Sequence, residues 1–551
     1  MNYNNFLMNT YFGFFDKKIY NNYREIKSDR RVEDMVSRYR AVCEDYPPPA
    51  LDQQGKLPEK LLENLKGINF FGLNIARDYG GAGLSLLEYL KVVEAIAPFS
   101  LSLGITALAH LSIGVKGIVL FGSEAQKRKY LPRAAAGEAI FSYALTEPKT
   151  GSDAQHIETL ATLSDDGGGY ILSGQKTYIT NANLAGAMTV FAQTDPQEPG
   201  HMGAFVVETS WDGVEVGEEM PKMGLKSSST AAVQFKNVKV PKENLIGRPG
   251  DGFKIAMSIL NYGRLALGAA SAGMMSQSLD DMLKRSAARK QFGVPINQFE
   301  LIQEKMVHAR VNGYVVSAIT GFTAAMLEAD PLAPVAVESS HCKLFGTTRA
   351  WHTLYEALQT AGGSGYLATQ PYELRMRDFR VTTIFEGTTE IHSIYPALYM
   401  MRQLVKQVKA TKPGRISKTV FLAKLMFRRS NWRPEFKNSR LRRAAKVVRS
   451  MALKIRFFII GGLLLYGENV TRKQFLLRTI SNLSLYCFGI LAVMAKIDLK
   501  VKSGRPAQAE LDLLEFFIQD ALRYKKGNRN LVPVKQERLH KKVFQTISGR
   551  P

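Results

Sequence analysis

Between residues 33 and 142, apolar residues recur every three or four positions, the spacing of helices that bury one face. LPEKLLENLKGINFFG, residues 57–72, follows that spacing and ends in glycine, as a helix terminus does. Asp78-Tyr79-Gly80-Gly81-Ala82-Gly83 reads as a loop. Ser123 caps a short helix, SEAQKRKYLP, expected to stop before Pro132. At about 143 the period changes. Apolar and polar residues alternate through GYILSGQKTYITN, GAFVVET and AAVQFKNVKVP, so 157–247 predicts short strands. Gly167-Gly168-Gly169 and Asp212-Gly213 mark turns between them. Helical spacing returns over 251–401, with long runs at 255–289 and 301–328, and again over 457–525. No repeat of solenoid length is present.

Charge adds a division that periodicity does not show. The 551-residue chain has a formal net charge of +24. Residues 1–401 hold 39 Lys/Arg and 41 Asp/Glu, whereas 402–551 hold 34 and 8. Segment 402–456 is the extreme, with 18 Lys/Arg and a single acid, Glu435. Such asymmetry points to a region that meets an anionic surface. Cys43, Cys342 and Cys487 are few, odd in number and far apart, so neither a disulfide framework nor a metal site is indicated. A reducing compartment is therefore expected. The first twenty residues lack the basic start, apolar run and cleavage site of a secretory signal. They are expected to pack their Phe and Tyr side chains on the body. The uncharged stretch 95–115 is long enough to span a bilayer, but Pro98, His110 and its Ser/Thr residues make a buried core helix the expected reading. The apolar stretches 457–467 and 479–495, of 11 and 17 residues, are short for a membrane span, and the latter includes Ser481, Asn482 and Ser484.

Candidate chemistry lies in five segments. Tyr143 to Asp153, YALTEPKTGSD, enters the strand region, and Tyr178-Ile179-Thr180-Asn181 follows on a strand. Arg289-Lys290-Gln291-Phe292-Gly293 ends a helix, and Gln359-Thr360-Ala361-Gly362-Gly363-Ser364-Gly365-Tyr366 is a glycine-rich break. Arg377-Asp378-Phe379-Arg380 leads into Ile384-Phe385-Glu386-Gly387-Thr388-Thr389-Glu390-Ile391. In this order and spacing the chain resembles the acyl-CoA dehydrogenase family over roughly residues 60–400. Ile75-Ala76-Arg77-Asp78 departs from the family's proline-containing turn.

The resemblance implies an α+β multidomain fold. An N-terminal extension (1–32) precedes an N-terminal helical domain (33–142), a middle β-barrel or sandwich domain (143–250) and a C-terminal four-helix bundle (251–401). A basic segment (402–456) and an extra helical C-terminal domain (457–551) follow. It implies FAD as cofactor. A turn at 143–152 can offer backbone N–H groups and the hydroxyls of Thr146 and Ser152 to a flavin. Tyr178 can supply a flat wall and Thr180 a further hydroxyl. Arg289 offers a planar charged fork to a pyrophosphate, and Gly362 and Gly363 let the main chain approach it. In the family these last segments bind the FAD of a neighbouring subunit, which implies a homo-oligomer, a dimer being favoured. The implied cofactor residues are Tyr143, Leu145, Thr146, Gly151, Ser152, Tyr178, Thr180, Arg289, Gln291, Phe292, Gln359, Gly362, Gly363, Thr388 and Glu390. Ser152, Asn261, Tyr262, Gly263, Arg264 and Gly387 are implied on the substrate side. No metal site is expected.

Glu386 is the expected base. The α-hydrogen of a thioester is weakly acidic, so its removal needs a base placed over it and stabilisation of the enolate. A carboxylate in an apolar, water-poor site has a raised pKa and is a better base. Ile384, Phe385 and Gly387 suit that setting. Some family members carry the acid where this chain has Gly263, which leaves Glu386 without a rival. The implied reaction is α,β-dehydrogenation of a fatty acyl-CoA, long-chain by resemblance to the very-long-chain branch. It yields the trans-2-enoyl-CoA, the β-hydrogen leaving as hydride to flavin N5 and electrons passing to an electron-transfer flavoprotein. A non-catalytic or weakly catalytic assembly scaffold and an acyl-CoA oxidase are the alternatives. In ISKTVFLAKLMFRR, residues 416–429, Val420, Phe421, Leu425 and Met426 fall near one helical face and Lys418, Lys424, Arg428 and Arg429 largely off it. That is a peripheral membrane pattern, so an anionic membrane surface is an expected partner of 402–456 and nucleic acid is not. The expected location is the cytoplasm or an organelle matrix, peripheral on the inner membrane face and not secreted.

Overall fold

A computed structural model describes residues 5–195, 197–198, 200–411, 415–532 and 535–549. It divides into two compact units, Arg24–Thr389 and Met1–Tyr23 with Glu390–Pro551.

The Arg24–Thr389 unit opens with helices whose starts are chemically specified. Ser85 and Ser123 each form a reciprocal capping box, with Glu88 and Gln126 respectively. The helix that Ser123 caps runs over Glu124–Ala135 and so passes through Pro132 instead of stopping before it. Proline there removes one helical donor, but Ala136 N–H still reaches the Pro132 carbonyl at 3.0 Å. Buried Tyr130, Leu131, Ala134 and Ala135 hold the last turn in place. The apolar stretch Leu101–Phe121 is 83% buried over its most apolar window and is a core element. It changes from α to π winding over Ala109–Gly114. His110 anchors that bulge: Nδ1 accepts from Phe141 N–H at 2.9 Å, and Nε2 faces the carbonyls of Phe71 at 3.1 Å and Ala134 at 3.2 Å. Burial holds this ring down at about 4, so it is neutral.

The strands form one sheet. β1 is Ile140–Ala144, β2 Leu160–Leu163, β3 Gly169–Thr180 and β4 Ala185–Gln193. β5 is Met202–Glu208, β6 Val214–Val216, β7 Thr230–Pro241 and β8 Leu245–Ile246. Their order is β6-β7-β3-β2-β4-β5-β8, with β1 paired in parallel on β4. Alternation buries Leu172, Val190, Phe205, Val233 and Phe235 in one core. β3 and β7 slip register between Lys176 and Ile179, a bulge that turns Tyr178 outward. Three long helices follow, Gly252–Ala288, Glu300–Ala329 and Ala336–Ala361, packed on one another. Gly273 permits close approach: a Cβ there would lie 1.9 Å from the Glu94 carbonyl oxygen.

In the other unit the N-terminal aromatics pack as expected. Phe6, Tyr11, Phe12, Phe15 and Tyr20 are buried, and Phe15 stacks on Trp432 at 4.4 Å. Tyr11 Oη pairs with Ser484 Oγ at 2.8 Å. Arg456 is fully buried; its Nε donates to the Tyr11 carbonyl at 2.7 Å and its Nη1 to the carbonyls of Leu425, Met426 and Arg428. The basic stretch is not one uniform segment. It holds the end of the helix Thr389–Thr411, the helix Arg415–Met426 and the first turns of Ser439–Tyr466. Leu441, Ala444, Ala445, Val448, Met451, Ala452 and Ile455 are core residues of the last of these, with Arg442, Arg443 and Lys446 on its outer side. On the helix Arg415–Met426, Val420 is exposed but Leu425 is buried, so the expected apolar face is divided. The Lys418 side chain lies outside the described residues. Gln474–Lys502 is long and apolar enough to cross a membrane and is 83% buried over its most apolar window.

Candidate active site

After the helix Ala336–Ala361 the chain winds through Tyr372–Arg380 and a 3-10 turn, Val381–Thr383, before reaching Glu386. Glu386 and Gly387 both have left-handed backbones, φ 56° and 94°. Glycine accepts this freely, whereas for Glu386 it costs roughly 1 kcal/mol, a strain typical of functional turns. Glu386 is half-buried as a residue, yet its Oε2 is sealed from solvent.

The carboxyl lies over the helix Gly252–Ala288 at Gly263. A Cβ at that position would stand 3.4 Å from Glu386 Oε2 and 2.9 Å from Ile113 Cγ2. Ile113 belongs to the π bulge, so the distorted helix and the glycine together make room for the acid. Burial raises the Glu386 pKa; the charges of Arg264 and Lys343 act in the opposite direction without cancelling it. Tyr143 is half-buried as a residue with its hydroxyl sealed: burial pushes its phenol well up, the Glu386 charge adds to this and Arg264 opposes it. Its Oη has no hydrogen-bond partner among the described residues. Arg264 is buried with Nη1 3.5 Å from Asn261 Oδ1, which also accepts from Ser339 Oγ at 2.8 Å. Tyr262 donates to the Pro331 carbonyl at 2.8 Å, and Lys116 Nζ sits 4.9 Å from its ring centre.

The 143–152 turn is built round an ion pair that sequence reasoning quoted only in passing. Lys176, fully buried, donates to Glu147 Oε1 at 2.7 Å and to the Leu145 carbonyl at 3.2 Å. Burial lowers the ammonium to about 8, with Glu147 opposing. Burial pushes the Glu147 carboxyl up, but Lys176 and the Thr159 and Glu158 N–H groups outweigh this and leave it lowered. Thr146 is tied to β3 by Thr177 N–H at 2.9 Å, and Gly151 and Ser152 stay exposed. Tyr178 is 69% exposed at its bulge, and the Thr180 carbonyl accepts from Ser142 Oγ at 2.9 Å. Ser227 and Ser228 carry buried hydroxyls without partners among the described residues. They adjoin Ser229, whose carbonyl takes Asn181 N–H at 2.9 Å beside Thr180. Nothing but their run of hydroxyls marked them in the sequence.

Tyr143, Asn261, Gly263, Arg264, Glu386 and Gly387 are thus brought together. Arg289, Gln291, Phe292, Gln359, Gly362 and Gly363 form a second, exposed group. Arg285 Nη2 joins the two helix ends that carry them, reaching the Ala361 carbonyl at 3.2 Å. A short hairpin, Lys290–Gln291 with Val294–Pro295, turns through left-handed Phe292 and Gly293, and Phe292 is 94% exposed. A Cβ at Gly362 or Gly363 would meet nothing within 4 Å. Thr388 is half-buried next to Gly387; Glu390 is exposed and belongs to the other unit. Lys343 was not singled out in the sequence, yet it is fully buried and donates to the Gly387 carbonyl. No group of three or more His, Cys, Asp or Glu able to hold a metal occurs among the described residues.

The sheet between helical layers, with a sealed carboxylate over a helix glycine, belongs to a known class of oxidoreductase. Models of the acyl-CoA dehydrogenase N-terminal, middle and C-terminal domains match residues 29–138, 142–238 and 250–395. The chain belongs to the acyl-CoA dehydrogenase family. It is 34% identical over 521 residues to the mitochondrial very long-chain specific acyl-CoA dehydrogenase of Homo sapiens, covering 90% of this chain and 79% of that one. Its fold is similar to the acyl-CoA dehydrogenase complexed with FAD from Bacillus anthracis, at TM-score 0.80, 27% identity and 94% and 90% coverage. It is also similar to a chain in the structure of the electron transferring flavoprotein of Acidaminococcus fermentans. There the TM-score is 0.63, identity 32% and coverage 69% and 100%.

Proposed function

We propose that this chain dehydrogenates a fatty acyl-CoA at the α,β bond, with Glu386 as the base that takes the α-proton. The observation that carries this reading is the sealed Oε2 over Gly263, with burial raising the carboxyl and the charges of Arg264 and Lys343 opposing that rise. A thioester laid along Gly263 and Arg264 presents its α-carbon to that oxygen. The Glu386 N–H, on the left-handed turn, donates to the thioester oxygen and stabilises developing enolate charge. Bound FAD supplies the hydride acceptor for the β-carbon. Exposed Tyr178, the Thr146–Ser152 turn and the orphaned Tyr143, Ser227 and Ser228 hydroxyls fit a flavin bound at this end of the sheet. The exposed Arg289–Phe292 and Gln359–Gly363 segments fit the pyrophosphate of a neighbouring subunit's FAD, so the working form is a homo-oligomer, a dimer first.

Likeness to a very long-chain dehydrogenase supports a long acyl chain, a matrix or cytoplasmic location and electron delivery to an electron-transfer flavoprotein. The outer-face cations of 402–456 support attachment to an anionic membrane. Anaerobic addition of saturated acyl-CoAs of graded length to the holoprotein should bleach the flavin, most strongly with long chains, and Glu386→Gln should bleach far more slowly. An unchanged wild-type spectrum would favour the scaffold alternative. Peroxide release without an added acceptor would favour an oxidase.

A further inference from the structure

The Glu386–Gly387 turn has no helical or strand ladder to hold it, and both residues are in a backbone region that L-residues avoid. Something must fix it. Lys343 lies in the middle of the helix Ala336–Ala361, 43 positions before Glu386, and is fully buried. Its Nζ donates to the Gly387 carbonyl, the peptide oxygen that directly follows the base. The helix segment around it is equally closed: Ser339, Ser340, His341, Cys342 and Thr347 are all fully buried. A four-carbon stem rising from a rigid, dry helix is a firm post, and a charge-assisted hydrogen bond to a carbonyl is about twice as strong as a neutral one.

We propose that Lys343 is a positioning residue for the reaction: it pins the Glu386–Gly387 turn through the Gly387 carbonyl. This rests on Glu386 being the base. Two effects follow from one side chain. Fixing the Gly387 carbonyl fixes the peptide plane between Gly387 and Thr388, and with it the aim of the preceding acid and its N–H. The ammonium charge also favours the carboxylate over the acid. Losing it leaves Glu386 protonated to higher pH, so the acidic limb of activity moves up. Arg264 adds a second positive charge near the acid and lies 3.5 Å from Asn261 Oδ1 through Nη1.

The test uses holoenzyme and three substitutions. Lys343→Met removes donor and charge at similar length, Lys343→Gln keeps a donor without charge, and Lys343→Arg keeps both. The C=O stretch of protonated Glu386, assigned by its disappearance in Glu386→Gln, is followed across pH in resting enzyme by infrared difference spectroscopy. Anaerobic flavin bleaching by a saturated acyl-CoA is followed over the same pH range. Methionine is expected to move both midpoints up by about one pH unit and to lower the limiting rate about tenfold with little change in KM. Glutamine is expected to move the midpoints equally and to lower the limiting rate less, and arginine is expected to leave the midpoints in place. Glutamine is the variant read where methionine yields no folded holoenzyme. A wild-type limiting rate in both neutral variants would overturn the proposal. Wild-type turnover in Glu386→Gln would instead overturn the reading of the base, so the two failures are distinct.

Discussion

In the Arg24–Thr389 unit, Arg264 and Lys343 are buried around the carboxyl of Glu386, whereas in the other unit Arg456 is buried among main-chain carbonyls. Both arrangements take cations out of water, which is costly unless donors are used well. In the first, the charges tune an acid that sits on a strained turn. In the second, one guanidinium gathers the Tyr11 carbonyl and the loose end of the Arg415–Met426 helix. Burial of a cation therefore does not by itself mark chemistry; what it faces decides.

The contrast can be broken in four ways. Glu386→Gln should leave the fold intact and slow flavin bleaching by about 10²–10⁴-fold, the usual worth of a positioned base. Arg456→Met should leave several buried carbonyls without donors and destabilise its unit by at least about 3 kcal/mol, read as a lower urea midpoint. Its effect on the bleaching rate of whatever holoprotein stays folded should be small.

Asp378 asks whether burial alone accounts for the first unit's raised acids. Burial pushes it up to about 6, Leu225 N–H at 2.6 Å opposes this, Asp52 adds to it, and Arg377 and Ser102 oppose. The folded protein thus holds this proton more tightly than the unfolded chain. The stabilisation is complete below about pH 4 and lost as pH rises through about 6. Asp378→Asn should lose that dependence and gain about 2 kcal/mol on wild type between pH 4 and 7, measured by paired denaturation curves. Gly263→Ala is the mildest change. Its methyl must displace Ile113 or the Glu386 carboxyl, so about 1–2 kcal/mol of stability should be lost while the bleaching rate falls disproportionately.

Much of this was legible in the chain. The change from helical to alternating spacing near 143 locates the sheet, and the two long apolar runs predict the helices Gly252–Ala288 and Glu300–Ala329. Glu386 stood out through the resemblance of residues 384–391 to the family, and its apolar neighbours suit that role. Pro132 misled because a proline in the last turn removes only one bond, and local propensity cannot weigh that against four buried neighbours. Lys343 and Glu147 were overlooked for another reason. A lysine inside VESSHCKLFG reads as any polar position on a helix until packing closes every side of it. In the basic 402–456 stretch, composition counts charges and does not show the apolar face beneath them. The heptad-like run from Leu441 to Ile455 was present in the same letters.

The N-terminal arm has a consequence for synthesis. Tyr11 and Ser484 are 473 positions apart, and Phe15 waits similarly long for Trp432. At roughly 5–20 residues per second, the ribosome needs on the order of half a minute or more between making the arm and making its seat. During that interval a greasy leader carrying Phe6, Phe12 and Phe15 has nowhere to go, which makes it the natural target for a chaperone and the first place where nascent chains would stick together.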